Sequence, residues 1–307
     1  MNVSNTENFF EAPQKEPSAF PALLRIGERL NTLGSRKFKQ LVLDENYSEA
    51  LPIALQQIEH GAAALDICAA LTERSDEEQT IKKILAVLTP AVSLPLVIDT
   101  TNPDVMESAL ENFSGKFVLN STNLEHGREK PEKVFGLAKR FGAKVIALTI
   151  DEEGMAKTAE RKLAVAQRLV TMAVEEFGLA PQDILLDALT FTLSIGDPAY
   201  ADSAKETLEG IQRIKENIPG VLTSLGVSNV SFGFPPEIRL LINNVMLHRA
   251  VAQGLDLAIV NPAHVKAYAE LPEKEREMAE ALIDNRPDAL MNLVGLYRKP
   301  RSRRKDS

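Results

Sequence analysis

The amino-acid sequence predicts a single-domain (β/α)8 barrel, the TIM-barrel class of α/β fold, with a helical extension at its C-terminus. Three observations predict it: short apolar runs alternate with amphipathic segments, there are eight such units, and no long linker interrupts them. Eight units in roughly 240 residues is the usual size of a closed barrel. The open doubly wound sheet is the alternative, but no G-x-G-x-x-G turn follows the first predicted strand.

The predicted strands are short runs rich in Val, Ile and Leu that lack strict alternation of apolar and polar residues. Such runs are typical of parallel strands buried on both faces. Because parallel neighbours need crossover connections, helices are expected between them. The predicted strands are residues 23–27, 63–67, 94–99, 116–120, 144–150, 183–187, 220–226 and 255–260.

The segments between these runs predict amphipathic helices. In residues 157–177 the apolar side chains recur at spacings of three and four, and Gly178 follows as a C-terminal stop. The apolar residues of 47–58 also share one helical face, and Gly61 ends that run. Further helices are predicted at 76–89, 103–112, 131–141, 202–216 and 237–252.

Three parts are predicted along the chain: a flexible arm over 1–21, the barrel over 22–270, and a helical extension with a basic tail over 271–307. The net charge of −8 argues against nucleic acid as the main partner. No apolar run is long enough to span a membrane and no secretory signal begins the sequence, so a cytoplasmic protein is expected. The single cysteine, Cys68, excludes a disulfide within the chain and a thiolate zinc site.

Polar residues follow or end the predicted strands, and the active site of such a barrel lies where the C-terminal strand ends meet. The residues expected at this rim are Glu28, Asn31, Asp66, Asp99, Asn120, Asp151, Asp187, Ser228, Asn229 and Asn261. An aspartate here has a simpler explanation as the cap of the following helix, and Asp99, before Thr100 to Pro103, is a clear example.

The residue types at the rim narrow its chemistry. The four histidines do not show metal-ligand spacing with supporting carboxylates, so no tightly bound metal is expected. There is no G-x-S-x-G elbow, no P-loop and no evident histidine partner for Cys68. A site rich in Asp and Asn suits a flat, nitrogen-rich heterocycle, because carboxylates accept from ring N–H and amino groups while carboxamides match mixed edges.

These strand ends resemble motifs of the methyltetrahydrofolate:corrinoid methyltransferases and the pterin-binding domain of cobalamin-dependent methionine synthase, a branch of the dihydropteroate-synthase-like barrels. The motifs occur in order over roughly residues 22–295. They are G-E-R-L-N (27–31), L-D-I (65–67), I-D-T-T-N (98–102), L-N-S-T-N (119–123), I-L-L-D (184–187), G-V-S-N-V-S (226–231), R-L-L-I-N (239–243) and G-L-D-L-A-I-V-N (254–261). Residues 151–163 and 285–294 resemble the methionine-synthase branch in particular.

The resemblance implies roles for individual residues. Asp99, Asn120 and Asp187 are implied to bind the pterin ring. Asn229 is implied to contact the nitrogen that bears the methyl group, as the catalytic residue. The further substrate-binding residues that it implies are Asp66, Gly226, Ser228, Arg239 and Asn31.

The implied reaction, part of one-carbon metabolism, moves a methyl group between methyltetrahydrofolate and the cobalt of a corrinoid such as cobalamin. The 307 residues contain neither a corrinoid-binding D-x-H-x-x-G loop nor the cysteines of a zinc-thiolate homocysteine module. A separate corrinoid protein is therefore the expected partner, and the chain is not expected to be a whole methionine synthase. Members of this family are commonly dimers, so a homodimer is also expected.

Two alternatives stay open. One is a dihydropteroate-synthase-like pterin enzyme, although the lysine and Ser-x-Arg usual near its last strands are replaced here by Asn261-Pro262-Ala263-His264. The other is a folate-binding barrel without catalysis. Cys68 favours this second alternative, because the family usually has D-x-N where this chain has Asp66-Ile67-Cys68.

Overall fold

The computed structural model describes residues 9–10, 22–194, 196 and 198–297. Within them, eight parallel strands form a closed barrel, in which the strands follow one another in chain order and the last pairs with the first. The strands are β1 Leu24–Asn31, β2 Ala64–Cys68, β3 Leu96–Asp99, β4 Phe117–Thr122, β5 Lys144–Leu148, β6 Ile184–Asp187, β7 Leu222–Gly226 and β8 Leu257–Val260. The predicted fold class is confirmed.

Helices connect the strands and cover the outside of the barrel. They are α1 Arg36–Leu43, α2 Ala50–Glu59, α3 Glu77–Leu88, α4 Pro103–Asn112, α5 Glu129–Phe141, α6 Ala159–Thr171, α7 Ser203–Asn217 and α8 Pro236–Ala252. Two more, α9 Glu273–Ile283 and α10 Ala289–Tyr297, follow the last strand and pack against α8 as the predicted C-terminal extension. None of the described helices is both long and apolar enough to cross a membrane.

Several boundaries differ from the predicted ones. β1 extends beyond residue 27 to Asn31 because a bulge between Gly27 and Leu30 lets the strand continue. The helix predicted over 157–177 is α-helical only to Thr171 and then widens into a π-helical turn, Met172–Glu176. Helix α1 was not among the predicted helices.

The structure describes only part of the two chain ends that the sequence analysis separated from the barrel. Most of the arm expected over 1–21 and the basic tail expected over 298–307 lie outside the described residues. Phe9 and Phe10 are described, and they pack against the apolar residues inside the barrel. Nζ of Lys144, the first residue of β5, lies 4.8 Å from the centre of the Phe9 ring. These two aromatic residues therefore sit at the N-terminal end of the barrel.

An apolar layer fills the inside of the barrel and positions the polar side chains above it. It consists of Ile26, Ala64, Val97, Val118, Ile146, Leu185 and Leu257. Because successive side chains of a strand point to opposite faces, the residue two positions later lies on the same face, nearer the C-terminal end. In β2, β3, β4 and β6 that residue is Asp66, Asp99, Asn120 and Asp187, respectively. The apolar layer is thus the floor of a polar layer at the strand ends.

Candidate functional site

Asn31 joins two carboxylates at the ends of β2 and β3. Its side-chain Nδ2 donates to Oδ2 of Asp66 at 2.8 Å and to Oδ2 of Asp99 at 2.9 Å. Its Oδ1 accepts from the backbone N–H groups of Leu33, at 2.9 Å, and Gly34, at 3.2 Å, which fixes the orientation of the amide. The structure therefore brings together three residues that the sequence predicted for the site.

The two carboxyl groups differ in their tendency to ionise. Burial raises the pKa of Asp66 well above its ordinary value, and the negative charge of Asp99 raises it further. Burial also raises the pKa of Asp99, to about 6, against the opposing effect of hydrogen bonding to Asn31 and Cys68. Both carboxyl groups therefore ionise less readily than an exposed aspartate, and the ionisation of Asp66 is further opposed by the charge of Asp99. Oδ1 of Asp66 is buried and has no hydrogen-bond partner among the residues described.

Cys68 belongs to the same cluster. It ends β2 opposite Asn31 of β1, is 2% exposed, and its Sγ lies 4.0 Å from the hydroxyl of Thr32. Burial and the nearby Asp99 raise the pKa of the thiol to about 12, so Cys68 is protonated at neutral pH. Cys68, which departs from the D-x-N motif noted above, therefore places a weakly hydrogen-bonding thiol inside the site.

Asp187 occupies the polar layer from the end of β6. Its Oδ1 accepts from the backbone N–H of Leu189 at 2.7 Å, and the side chain is buried. Burial raises the pKa of Asp187 to about 6, while the N–H groups of Leu189 and Gly226 and the charge of Lys162 oppose this rise. Leu189 has a φ of 53°, in the left-handed region that non-glycine residues seldom adopt.

Lys162 of α6 stabilises the turn that follows β6, and it was not among the predicted site residues. Its Nζ donates to the backbone carbonyls of Ala156 at 2.9 Å, Ala188 at 2.5 Å and Leu189 at 3.2 Å. Desolvation lowers the pKa of Lys162 to about 8, against the opposing charge of Asp187. A lysine in an amphipathic helix is ordinarily part of the solvated face, so the sequence carried no signal of this burial.

Asn229 lies on the loop that follows β7. The loop is a short 3-10 helix, Val227–Ser231, and the Asn229 side chain folds back so that its Nδ2 would be 3.0 Å from a Cβ at Gly226. Asn229 is exposed, and its carboxamide makes no hydrogen bond to any residue in the described ranges. This group is therefore available to a ligand at the barrel mouth.

Glu28 links this loop to the rest of the site. Ser228 donates from its hydroxyl to Oε2 of Glu28 at 3.2 Å. Burial raises the pKa of Glu28, and the charges of Arg29 and Arg239 oppose that rise. Glu28, Ser228 and Arg239 line a cavity of about 630 Å³ between β1, β8 and α8. The sequence predicted that Glu28 lies at the rim. A single glutamate in a strand does not by itself indicate a functional role, so Glu28 was not predicted to be a site residue.

Other residues expected at the rim are engaged elsewhere. The segment predicted to continue β5 instead forms a short hairpin, Ile150–Asp151 with Gly154–Met155. Asp151 in that hairpin accepts from Arg161 at 2.5 Å. Asn261 caps its own turn by accepting from the N–H of Ala263 at 3.3 Å. Asp99 is not a helix cap, because Oδ1 of Asn102 accepts from the first turn of α4.

Arg239 lies in α8, and its Nε is 3.4 Å from the hydroxyl of Ser231 in the loop after β7. Arg239 therefore lines the cavity between β1, β8 and α8 and also contacts the loop that carries Asn229. Across the described ranges, no group of three or more His, Cys, Asp or Glu side chains is arranged to hold a metal ion.

Comparison with known sequences identifies relatives of the chain. The sequence profile of the family described as pterin binding enzyme matches residues 27–261. The methionine synthase of Mycobacterium leprae (strain TN) is 37% identical over 286 residues, which is 91% of this chain. That of Mycobacterium tuberculosis (strain ATCC 25618 / H37Rv) is 37% identical over 284 residues, or 90% of this chain. The match covers 24% of each mycobacterial protein, so the chain spans about a quarter of their length.

Solved structures share the barrel. Dihydropteroate synthase from Xanthomonas albilineans, in complex with 7,8-dihydropteroate, has a TM-score of 0.58 at 16% identity and covers 95% of this chain and 99% of its own. The Yersinia pestis enzyme, with a pterine-sulfa conjugate, has a TM-score of 0.55 at 15% identity and covers 90% of this chain and 97% of its own. At this level of identity the likeness shows a common fold.

Proposed function

The chain belongs to the family of pterin-binding enzymes, and on this basis we propose that it moves a methyl group between methyltetrahydrofolate and the cobalt of a corrinoid carried by a separate protein. The observation that carries the proposal is the polar layer above the barrel floor, where Asn31 joins the buried carboxyl groups of Asp66 and Asp99. The relatives of 37% identity are methionine synthases, which supports methyl transfer over other pterin chemistry.

The polar layer suits a pterin ring. The ring offers N–H and amino donors, for which the carboxylates of Asp99 and Asp187 are acceptors. Oδ1 of Asp66 and Oγ of Ser224 are buried and have no partner in the part of the chain that the structure describes. Buried polar atoms without partners are costly, so a bound heterocycle that pairs with them is favoured. Asn120, opposite Asp99 in the register of β3 and β4, adds a carboxamide with donor and acceptor atoms.

Asn229 is the residue that we assign to the reacting nitrogen. That nitrogen is a tertiary amine and a poor leaving group until it gains a proton, and the corrinoid supplies the cobalt that exchanges the methyl group. Oδ1 of Asn229 can accept a hydrogen bond from this nitrogen once it is protonated, and the bond strengthens as positive charge develops there, so it stabilises the transition state more than the bound substrate. The carboxylates of the polar layer hold the ring in place for this step.

The test is methyl transfer from methyltetrahydrofolate to free cob(I)alamin, followed by absorbance, together with calorimetric measurement of folate binding. The wild-type protein should catalyse the transfer. Asn229→Ala should lower the rate constant by on the order of 100-fold, as expected for one transition-state hydrogen bond, with little change in folate affinity. Asn217→Ala is the control and should be unaffected, because Asn217 is exposed at the C-terminal end of α7, which leads into the start of β7 and not into the strand ends that form the site.

The other outcomes identify the alternatives. Folate binding without methyl transfer identifies a non-catalytic folate-binding barrel. Formation of dihydropteroate from a pterin pyrophosphate and p-aminobenzoate identifies a synthase. Full activity of Asn229→Ala contradicts the role of that residue while leaving the reaction itself in place.

A further inference from the structure

Two hydroxyl groups of the loop after β6 bind the loop that carries Asn229. Oγ1 of Thr192 and Oγ of Ser194 both donate to the backbone carbonyl of Phe232, at 2.5 and 2.7 Å. Oγ1 of Thr192 also accepts from the backbone N–H of Ser194 at 3.2 Å, which holds the two side chains in one arrangement. The loops approach closely, since a Cβ at Gly233 would lie 2.6 Å from Oγ of Ser194. A side chain at position 233 would therefore push the two loops apart.

Backbone hydrogen bonds continue this connection to Asn229 itself. The N–H of Phe232 donates to the carbonyl of Asn229 at 3.2 Å, so Phe232 both accepts from the two hydroxyls and binds Asn229. The N–H of Leu193 donates to the carbonyl of Val230, the residue after Asn229, at 2.9 Å. Leu193 and Val230 are both buried. Residues 192–194, hereafter the 192–194 segment, thus bind the main chain around Asn229 at two carbonyls.

The side chain of Asn229 has no comparable support of its own. It is exposed, and no hydrogen bond joins its carboxamide to another of the residues that the structure describes. The carboxamide of Asn31, in contrast, accepts from two backbone N–H groups and donates to two carboxyl groups. The position of the Asn229 carboxamide therefore depends on the main chain that carries it. Such positions matter, because a displacement of about 1 Å can lower a rate by about 100-fold.

We propose that the 192–194 segment positions Asn229 for methyl transfer, with Thr192 and Ser194 as positioning residues. This inference rests on the proposed function, which assigns Asn229 to the reacting nitrogen. The hydroxyls of both residues are bonded to the carbonyl of Phe232, so they act on the reaction through the loop. The carboxyl groups proposed to bind the ring lie at strand ends and not in either loop. Loss of the hydroxyls should therefore lower the rate constant and leave folate affinity unchanged.

The test measures single-turnover methyl transfer from methyltetrahydrofolate to free cob(I)alamin, with calorimetry of folate binding. The double variant Thr192→Val/Ser194→Ala should lower the rate constant by about tenfold, because the loop keeps the bond from Leu193 but is held less firmly. Thr192→Ser, which keeps the hydroxyl, should retain the wild-type rate. Thr89→Val is the matched control and should be unaffected. The Thr89 hydroxyl donates to the carbonyl of Leu85 at the C-terminal end of α3, which leads into the start of β3 and not into the strand ends that form the site.

A second measurement asks whether the effect passes through Asn229. In an Asn229→Ala background the same two substitutions should cause no further loss of rate, because the group that they position is absent. A further loss of about tenfold in that background overturns the inference and leaves the proposed function intact. The same holds for a wild-type rate in the double variant, or for a loss of folate affinity that parallels the loss of rate. Absence of methyl transfer by the wild-type protein overturns the proposed function itself.

Discussion

Gly210 of α7 provides the space that the stem of Lys162 occupies: a Cβ at Gly210 would lie 2.7 Å from Cδ of Lys162. Beyond Gly210, Nζ of Lys162 donates to the backbone carbonyls of Ala156, Ala188 and Leu189. The absence of a side chain in one helix thus allows a charged group of its neighbour to be buried next to the polar layer of the site.

The first prediction is that Gly210→Ala destabilises the protein. Alanine in a helix interior is ordinarily more stable than glycine by roughly 0.5–1 kcal/mol. At Gly210 the added Cβ displaces the buried Lys162 stem, and overpacking of this kind costs about 1–3 kcal/mol. Urea denaturation measures the difference. Gly136→Ala in α5 is the control, because the nearest atom to its Cβ, on Phe177, is 3.9 Å away, and this variant should be as stable as the wild-type protein or more so. Equal stabilisation by both changes would show that Lys162 is not confined by α7.

A second prediction concerns Lys162→Met, which keeps most of the apolar stem of the side chain and removes its charge and its donors. The carbonyls of Ala156, Ala188 and Leu189 each lose a bond, so unfolding free energy should fall by about 1–3 kcal/mol. The charge of Lys162 also lowers the pKa of Asp187. The low-pH limit of folate binding should therefore move to higher pH in the variant. A variant with reduced stability but an unmoved pH profile would limit Lys162 to holding the fold.

The third prediction is a pH-dependent gain in stability for Asp187→Asn. Burial raises the pKa of Asp187 to about 6 from its ordinary 3.8, so between these values the folded protein keeps a proton that the unfolded chain has released. Its contribution to stability therefore falls as pH rises through this window, and the cost of the buried charge persists above it. Asparagine carries no charge and still accepts from Leu189, so the gain over wild type should be larger at about pH 7.5 than at about pH 4.5.

Urea denaturation at both pH values measures this gain. Asp44→Asn, an exposed residue after α1, controls for the loss of one negative charge. A gain for Asp187→Asn that does not change with pH would contradict the assignment of burial as the cause. Folate binding should weaken in the same variant, because the ring loses a charged acceptor.

The fourth prediction is that Cys68 is inert in the folded protein. The thiolate is the reactive form, and a buried thiol with a pKa raised to about 12 supplies very little of it near neutral pH. Iodoacetamide should label Cys68 rapidly in urea and slowly in buffer, and bound folate should slow the native reaction further. Fast labelling of the native protein would show that the β1–β2 strand ends open readily. Such opening would weaken the case for a preformed pterin site.

Sequence reasoning reached the barrel and much of the polar layer because both follow from local periodicity. Runs of buried aliphatic residues predict parallel strands. Because successive side chains of a strand point to opposite faces, Asp99, Asn120 and Asp187 lie two residues beyond the apolar floor and on the same face. The rim position expected for Asp151 failed for a local reason, since the chain turns into a hairpin at Ile150 and Asp151 pairs with Arg161 instead.

By itself, then, the sequence determined the fold class, the ends of the strands and which side chains project there. Only the tertiary structure decided how those side chains pair. Asn31 binds carboxylates that are 35 and 68 residues away in the chain, and the buried stem of Lys162 passes through space left by Gly210 of another helix. The ionisation of Asp66, Asp99 and Asp187 likewise depends on burial and on charged groups from other strands and helices. Periodicity reports which face of an element is apolar, whereas these properties depend on which faces meet.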